Sequence, residues 1–284
     1  MDTKNVDLSN VYLNSLDCVN IPIATEKLNL DKNRFLHLPD ELGTLTNLSS
    51  LSVACQLDID KIDENSKPAL QALPDNIANL TGLKELNVHN NALRSLPRQI
   101  SALNQLQTLD LRMNLFTEFP KMLCSLTSLK ALKLCGNQII AIPPCIKNLT
   151  NLEELTMIGN KLKELPMEIS YLHHLRIFAL QNNQLQVLPT ILTQLQQLVG
   201  EGRGIHLSGN SLIDPPMEVV RLGTAKIFDY LEQHLPVQHL QADSPRRTIE
   251  ESEGRTAMNI TLSGINIACD KLIAMFFFRN NCEL

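Results

Sequence analysis

Asn91, Asn114, Asn137, Asn160 and Asn183 stand 23 residues apart, and a proline follows each by six residues: Pro97, Pro120, Pro143, Pro166 and Pro189. The same pairing extends outward to Asn33 with Pro39 and to Asn210 with Pro216. Written out, the unit is L-x-x-L-x-L-x-x-N-x-L-x-x-L-P-x-x-I-x-x-L-x-x, as in "LEELTMIGNKLKELPMEISYLHH" at 152–174. A period in this range means one supersecondary unit stacked on copies of itself.

Elementary chemistry explains each fixed position. In L-x-L the two leucines face one side of a strand and their neighbours face the other. The asparagine comes where the chain turns out of that strand. Its amide both donates and accepts, so it can satisfy backbone groups that a tight buried turn leaves unpaired. Proline fixes φ and has no N–H, which suits a far side of extended or short helical pieces. No unit can enclose its own leucines, so neighbours must cover them. The lack of tryptophan and the 4% aromatic content fit a core made from one repeated aliphatic layer.

The unit resembles the leucine-rich repeat in its intracellular 23-residue "LPxxI" form, over about residues 25–216. That resemblance implies an α/β solenoid, a curved horseshoe of about eight repeats with a parallel sheet on its concave face. Eight strands at roughly 4.8 Å spacing give a sheet about 35 Å across, the scale of a protein partner. Residues 1–24 then read as an N-terminal cap, in which "VDLSN" (6–10) is a degenerate half-repeat. Residues 217–235 read as a helical C-terminal cap, with Gly223 ending one helix and Thr224 capping the next. The apolar stripe of that cap is Ile227, Phe228, Tyr230, Leu231 and Leu235. "PPMEVVRLGTAKIFDYL" resembles the terminal unit of the Ras-group (Sur-type scaffold), plant intracellular and calponin-homology-linked leucine-rich repeat families. These have different partners, so their Ras-pathway role does not carry over.

Two repeats depart from the rhythm. Gln56 stands where the second asparagine belongs, and a polar insertion, "LDIDKIDENSKP" (57–68), delays Pro74. Asp58, Asp60 and Asp63 there lack the glycine and closing glutamate of a calcium loop, so the segment reads as an exposed loop. "GEGRG" (200–204) precedes a repeat strand and no helix, so it reads as a loosened turn and not a phosphate loop. Residues 236–284 read as a linker and a poorly ordered tail containing Ser244-Pro245, one candidate phosphorylation site.

Composition narrows the function. A net charge of −5 with scattered Lys and Arg gives no case for nucleic acid. No apolar run reaches a membrane span, and the N-terminus has no signal-peptide pattern. Seven cysteines with no CxxC pair read as reduced thiols, which places the chain in the cytoplasm. No cofactor or metal motif is present.

Function is then sought on the outward positions of the strands. His89, Arg112 and Cys135 fall in one lateral row, but no residue is placed to orient His89 as a base, so the thiol reads as an ordinary surface group. Asp110 stands beside Lys133 and diagonal to Arg112, which predicts a cross-strand charge network. Ile158, Ile177 and Ala179 form an apolar patch next to it. The expected protein-binding face is Glu85, His89, Asp110, Arg112, Lys133, Glu154, Ile158 and Ile177. The sequence thus predicts a non-enzymatic adaptor or scaffold in intracellular signalling, monomeric, binding a protein partner. The alternative is a regulatory subunit of a phosphatase or of a small-GTPase pathway enzyme, using the tail or the 57–68 loop.

Overall fold

The computed structural model describes residues 4–17, 19–56 and 70–234. The 57–68 insertion with its carboxylates, Leu235 and the 236–284 tail with Ser244 lie outside the described residues. So do the parts of the alternative reading that rest on them.

Nine three-residue strands run parallel in chain order: β1 (Asn5–Asp7), β2 (Lys27–Asn29), β3 (Ser50–Ser52), β4 (Glu85–Asn87), β5 (Thr108–Asp110), β6 (Ala131–Lys133), β7 (Glu154–Thr156), β8 (Ile177–Ala179) and β9 (Gly204–His206). The sheet is one strand longer than the eight expected, because the N-terminal half-repeat pairs in full register, Val6 opposite Leu28. The central leucine of each repeat strand points into the core, as Leu86, Leu109, Leu132 and Leu155 do. The residues flanking it face outward. Each repeat proline (Pro39, Pro74, Pro97, Pro120, Pro143, Pro166 and Pro189) has extended backbone and opens a five-residue 3₁₀ turn on the far side of the coil, as Pro97 does for Arg98–Ala102. Isoleucines and leucines from these turns, such as Ile100 and Leu123, close the aliphatic core, and Phe35, Phe116 and Phe178 are its largest fully buried side chains.

The asparagines tie one coil to the next. Asn137 Oδ1 accepts the N–H of Phe116 in the preceding coil at 3.1 Å. Its Nδ2 donates to Leu111 O, also in that coil, and to Leu134 O in its own, both at 3.0 Å. Asn91, Asn114, Asn160, Asn183 and Asn210 repeat the arrangement. Gln56, which looked like a break in the rhythm, does the same work. It accepts from Phe35 N–H and donates to Leu30 O and Ala54 O, buried within the coil.

The residue before each ladder amide from Asn33 to Asn210 is left-handed: Lys32, Cys55, Asn90, Met113, Gly136, Gly159, Asn182 and Gly209 all have positive φ. That turn brings the amide back under the strand it has just left. Glycine fits it without a steric penalty, and asparagine tolerates it better than most residues. At Gly136 a Cβ would run into Met113 Sδ, which lies across the next coil.

The cap follows the expectation with two changes. Helices α1 (Met217–Val220) and α2 (Thr224–Gln233) close the last coil, burying Ile227, Phe228 and Leu231. Gly223, not Thr224, is the N-cap of α2. The Thr224 hydroxyl instead accepts the Ile205 N–H at 3.1 Å, a main-chain donor of β9 that would otherwise face a tenth strand. Second, Cys124 and Cys145 form a disulfide, with Cα atoms 5.7 Å apart, correcting the reading of all cysteines as reduced thiols. They lie in the 3₁₀ turns of consecutive coils, Lys121–Ser125 and Pro144–Asn148. Stacking brings them together although spacing along the chain gives no such hint. Cys55 and Cys135 are thiols.

The ladder predicts a sharp cost for its loss. Asn137→Ala orphans the buried Phe116 N–H and leaves the Leu111 and Leu134 carbonyls with one donor each, from Asn114 and Asn160, so it should destabilise by about 2–3 kcal/mol. Asn137→Asp should be no better, since a carboxylate keeps the acceptor for Phe116 but offers no donor to Leu111 and Leu134. Urea unfolding followed by circular dichroism measures both; an aspartate variant as stable as the natural chain would contradict the assignment.

Candidate functional site

The outward face of the sheet carries the residues expected to bind, but it is organised along strands as much as across them. Four fifth-position side chains, Asp7, Asn29, Asn87 and Asp110, accept the main-chain N–H of the residue two further on. These Asx turns hold the side chain upright where the strand gives way to the left-handed turn.

Asp110 shows the consequence. Its carboxylate accepts the Arg112 N–H at 3.0 Å and is clamped by the same residue's guanidinium, Nε at 3.0 and 2.9 Å and Nη2 at 2.6 Å. The two residues are therefore bonded within one strand, where a cross-strand network was expected. This bonding holds the Arg112 guanidinium above its ordinary pKa, against the opposing effect of burial. Lys133 is opposite Asp110 in register but takes Glu154 as its ion partner, at 3.6 Å. Glu85 accepts Ser50 Oγ at 3.0 Å. Ile158 and Ile177 are half-buried, and Ala179 is buried. Beside Ile158, one coil on, the Gln181 Oε1 atom is buried with no hydrogen-bond partner.

His89 departs most from the expectation. Its imidazole does not follow the row toward Arg112 and Cys135. Nε2 lies 3.4 Å from Cys55 Sγ and Nδ1 lies 2.8 Å from Asn87 Oδ1. A residue that orients His89 is therefore present, and the sequence reading that found none is corrected. The lateral neighbour of His89 is Ala54, whose methyl leaves room for the ring to reach the next residue, Cys55. Burial is the main influence holding the His89 pKa below its usual value, with Arg112 acting the same way and Asp110 and Asp31 opposing. Burial likewise pushes the Cys135 thiol up, which agrees with its reading as an unreactive group. Cys55, Asn87 and Ser52 are the residues the sequence reading left out. The recoverable signal was Asn87 two residues before His89, the same spacing that joins Asp110 to Arg112.

Among the described residues, no group of three or more His, Cys, Asp or Glu side chains is placed to hold a metal ion, and no helix is long and apolar enough to cross a membrane.

The geometry ranks the charged residues. Asp110 is 7% exposed and accepts four hydrogen bonds. Asp110→Ala should therefore cost about 1–2 kcal/mol, mostly from the orphaned Arg112 N–H. Lys133→Ala should cost under about 0.5 kcal/mol, because its ion pair is long and open to solvent. Equal shifts of the urea midpoint for the two variants would refute this ranking.

Comparison with known proteins agrees with this architecture. Residues 47–162 match the model of a leucine-rich repeat region. No curated protein sequence matches the chain. Among solved structures it is similar to the ectodomain of the Arabidopsis thaliana receptor kinase GASSHO1/SCHENGEN3 in complex with CASPARIAN STRIP INTEGRITY FACTOR 2, with 29% identity and TM-score 0.52 over 68% of this chain and 23% of that one. It is also similar to the Arabidopsis receptor kinase HAESA, in complex with the peptide hormone IDA and the co-receptor SERK1 (26% identity, TM-score 0.55, 73% of this chain and 34% of that one). The chain thus spans 23% and 34% of these receptors' solved lengths. With the nine-strand sheet and the ladder of buried amides, these likenesses establish the fold as a leucine-rich repeat solenoid.

Proposed function

We infer that the chain is a non-enzymatic adaptor or scaffold that binds a polypeptide partner across the outward face of its sheet, in a signalling setting. One observation carries this reading. On β5 to β8, charged side chains fixed in place by the fold (Asp110, Arg112, Lys133, Glu154) stand next to half-buried Ile158 and Ile177. Fixed charges choose and orient a partner, while adjoining apolar area supplies affinity, and rigid side chains lose little entropy when covered. The HAESA receptor, solved in complex with a peptide hormone and a co-receptor, supports a polypeptide as the occupant. Compartment enters through Cys124–Cys145, a bond that an oxidising environment preserves and a reducing one opens.

A paired-variant capture tests this. Arg112→Glu with Ile158→Asp changes the proposed face. Met167→Ala with Tyr171→Ala changes two exposed residues of one 3₁₀ turn on the opposite side of the coil. The first pair should remove the proteins that the natural chain retains from a cell lysate while keeping a native circular dichroism spectrum, with a lowered thermal midpoint because Asp110 loses its cation, and the second pair should keep them. Retention by the first pair would place binding elsewhere.

A further inference from the structure

A continuous chain of hydrogen bonds crosses β2, β3 and β4 and ends on a thiol. Asp31 Oδ1 accepts the Ser52 hydroxyl at 2.6 Å. With its proton committed there, Ser52 Oγ accepts from Asn87 Nδ2 at 2.9 Å. The Asn87 amide is thereby fixed with Oδ1 toward His89, where it accepts the His89 main-chain N–H and faces Nδ1. An acceptor at that distance requires the proton on Nδ1, which leaves the Nε2 lone pair directed at Cys55 Sγ. Asn90 Nδ2 also donates to the sulfur, at 3.5 Å. A nucleophile, a base, a group that orients the base, and a neutral donor beside the reacting atom are thus assembled. The thiol and the imidazole are both partly open to solvent.

We propose that Cys55 is an acyl-accepting thiol: a covalent modification site that His89 activates and that takes an acyl group from a small thioester. In the step, His89 Nε2 takes the Sγ proton as the sulfur attacks the thioester carbonyl carbon. A new S–C bond forms and the carbonyl oxygen becomes an oxyanion, which the Asn90 amide is placed to receive. Collapse of the adduct breaks the donor's own C–S bond, and the departing thiolate takes the proton back from His89. The products are S-acylated Cys55 and the donor's free thiol, with no oxidant or reductant required. Asn87 and Ser52 are positioning residues that act only through His89. Attachment here would place an acyl group on the outward sheet face, between β3 and β4.

The charged and titratable groups around His89 are Asp31 from the coil of β2, Cys55 from that of β3, and Asp110 and Arg112 from that of β5. Burial, the largest influence, keeps the imidazole neutral, and so able to act as a base, to a pH below the usual histidine value.

The test uses the full chain and peptide-resolved mass spectrometry, with Cys135 as the internal comparison. With iodoacetamide, Cys55 should react about tenfold or more faster than Cys135, and faster than Cys55 in the urea-unfolded chain, down to mildly acidic pH. His89→Gln and Asn87→Ala should each remove most of this advantage and return the pH profile to that of an ordinary thiol. Asn87→Asp keeps an acceptor for Nδ1. It should retain the fast rate and move the low-pH fall to higher pH, because a carboxylate favours the imidazolium. With the acetyl thioester of N-acetylcysteamine, Cys55 should become acetylated. Asn90→Gly, which suits the left-handed backbone at that position, should slow acetylation more than alkylation, since only acetylation develops an oxyanion. A folded-state alkylation rate no higher than the unfolded one, or one unchanged by His89→Gln in a chain with a native circular dichroism spectrum, overturns the activation. Fast alkylation without acetylation overturns the acyl assignment. These outcomes do not depend on the partner-binding experiment.

Discussion

Everything in this structure depends on one side-chain amide per coil. A parallel stack of three-residue strands has little regular sheet and no long helix to hold its layers together, and each coil must leave its strand through a turn buried between neighbours. That turn would leave main-chain groups without water or a ladder partner, each at a cost of about 1–3 kcal/mol. The asparagine answers this by taking an N–H from the coil before and giving its own protons to carbonyls of both coils, as Asn137 does between Phe116, Leu111 and Leu134. The leucines supply the larger energy, but apolar contact is non-directional and does not by itself define how one coil sits on the next. The amides define it. Gln56 shows that the requirement is for the amide and not for asparagine: a side chain longer by one methylene reaches the same kinds of partner.

The same turn sets the limits of what the sheet face can display. Because the residue before each amide is left-handed, its side chain leans across the neighbouring coil, as Met113 does over Gly136. Residues two apart within a strand are joined by Asx turns, so the fifth and seventh positions interact before either meets a lateral neighbour. The face is therefore a set of short local units, such as Asp110 with Arg112, linked sideways at particular points: Lys133 with Glu154, Ser50 with Glu85, and His89 with Cys55, where Ala54 leaves room.

This explains what was legible in the sequence. The repeat, the inward leucines, the role of the asparagine and the capping stripe of Ile227, Phe228 and Leu231 all follow from periodicity and side-chain chemistry, which need no coordinates. The face did not follow as well. Assigning neighbours by row assumes side chains that stand perpendicular to an ideal sheet. It therefore paired Asp110 with Lys133 and His89 with Arg112, and each found a different partner. The Cys124–Cys145 bond was hidden for a related reason. It joins turns outside the strands, where the repeat fixes which coils are adjacent but not which of their residues touch.

Backbone strain alone does not mark the functional part of this face. Lys32, Cys55 and Met113 share the same left-handed conformation, which costs an ordinary residue about 1–2 kcal/mol, and glycine fills the equivalent place at 136, 159 and 209. All three side chains are held there by the same amide-bridged turn, so the strain belongs to the fold. What separates Cys55 is the chemistry of the next coil. Lys32 and Met113 have no base directed at them, whereas Cys55 faces the nitrogen of His89 that the Asp31–Ser52–Asn87 chain leaves without a proton. The rigid turn then has a second consequence: it holds the sulfur at a fixed distance from that nitrogen. A frame selected by the need to satisfy buried amides thus places a thiol and a base together on a surface open to solvent.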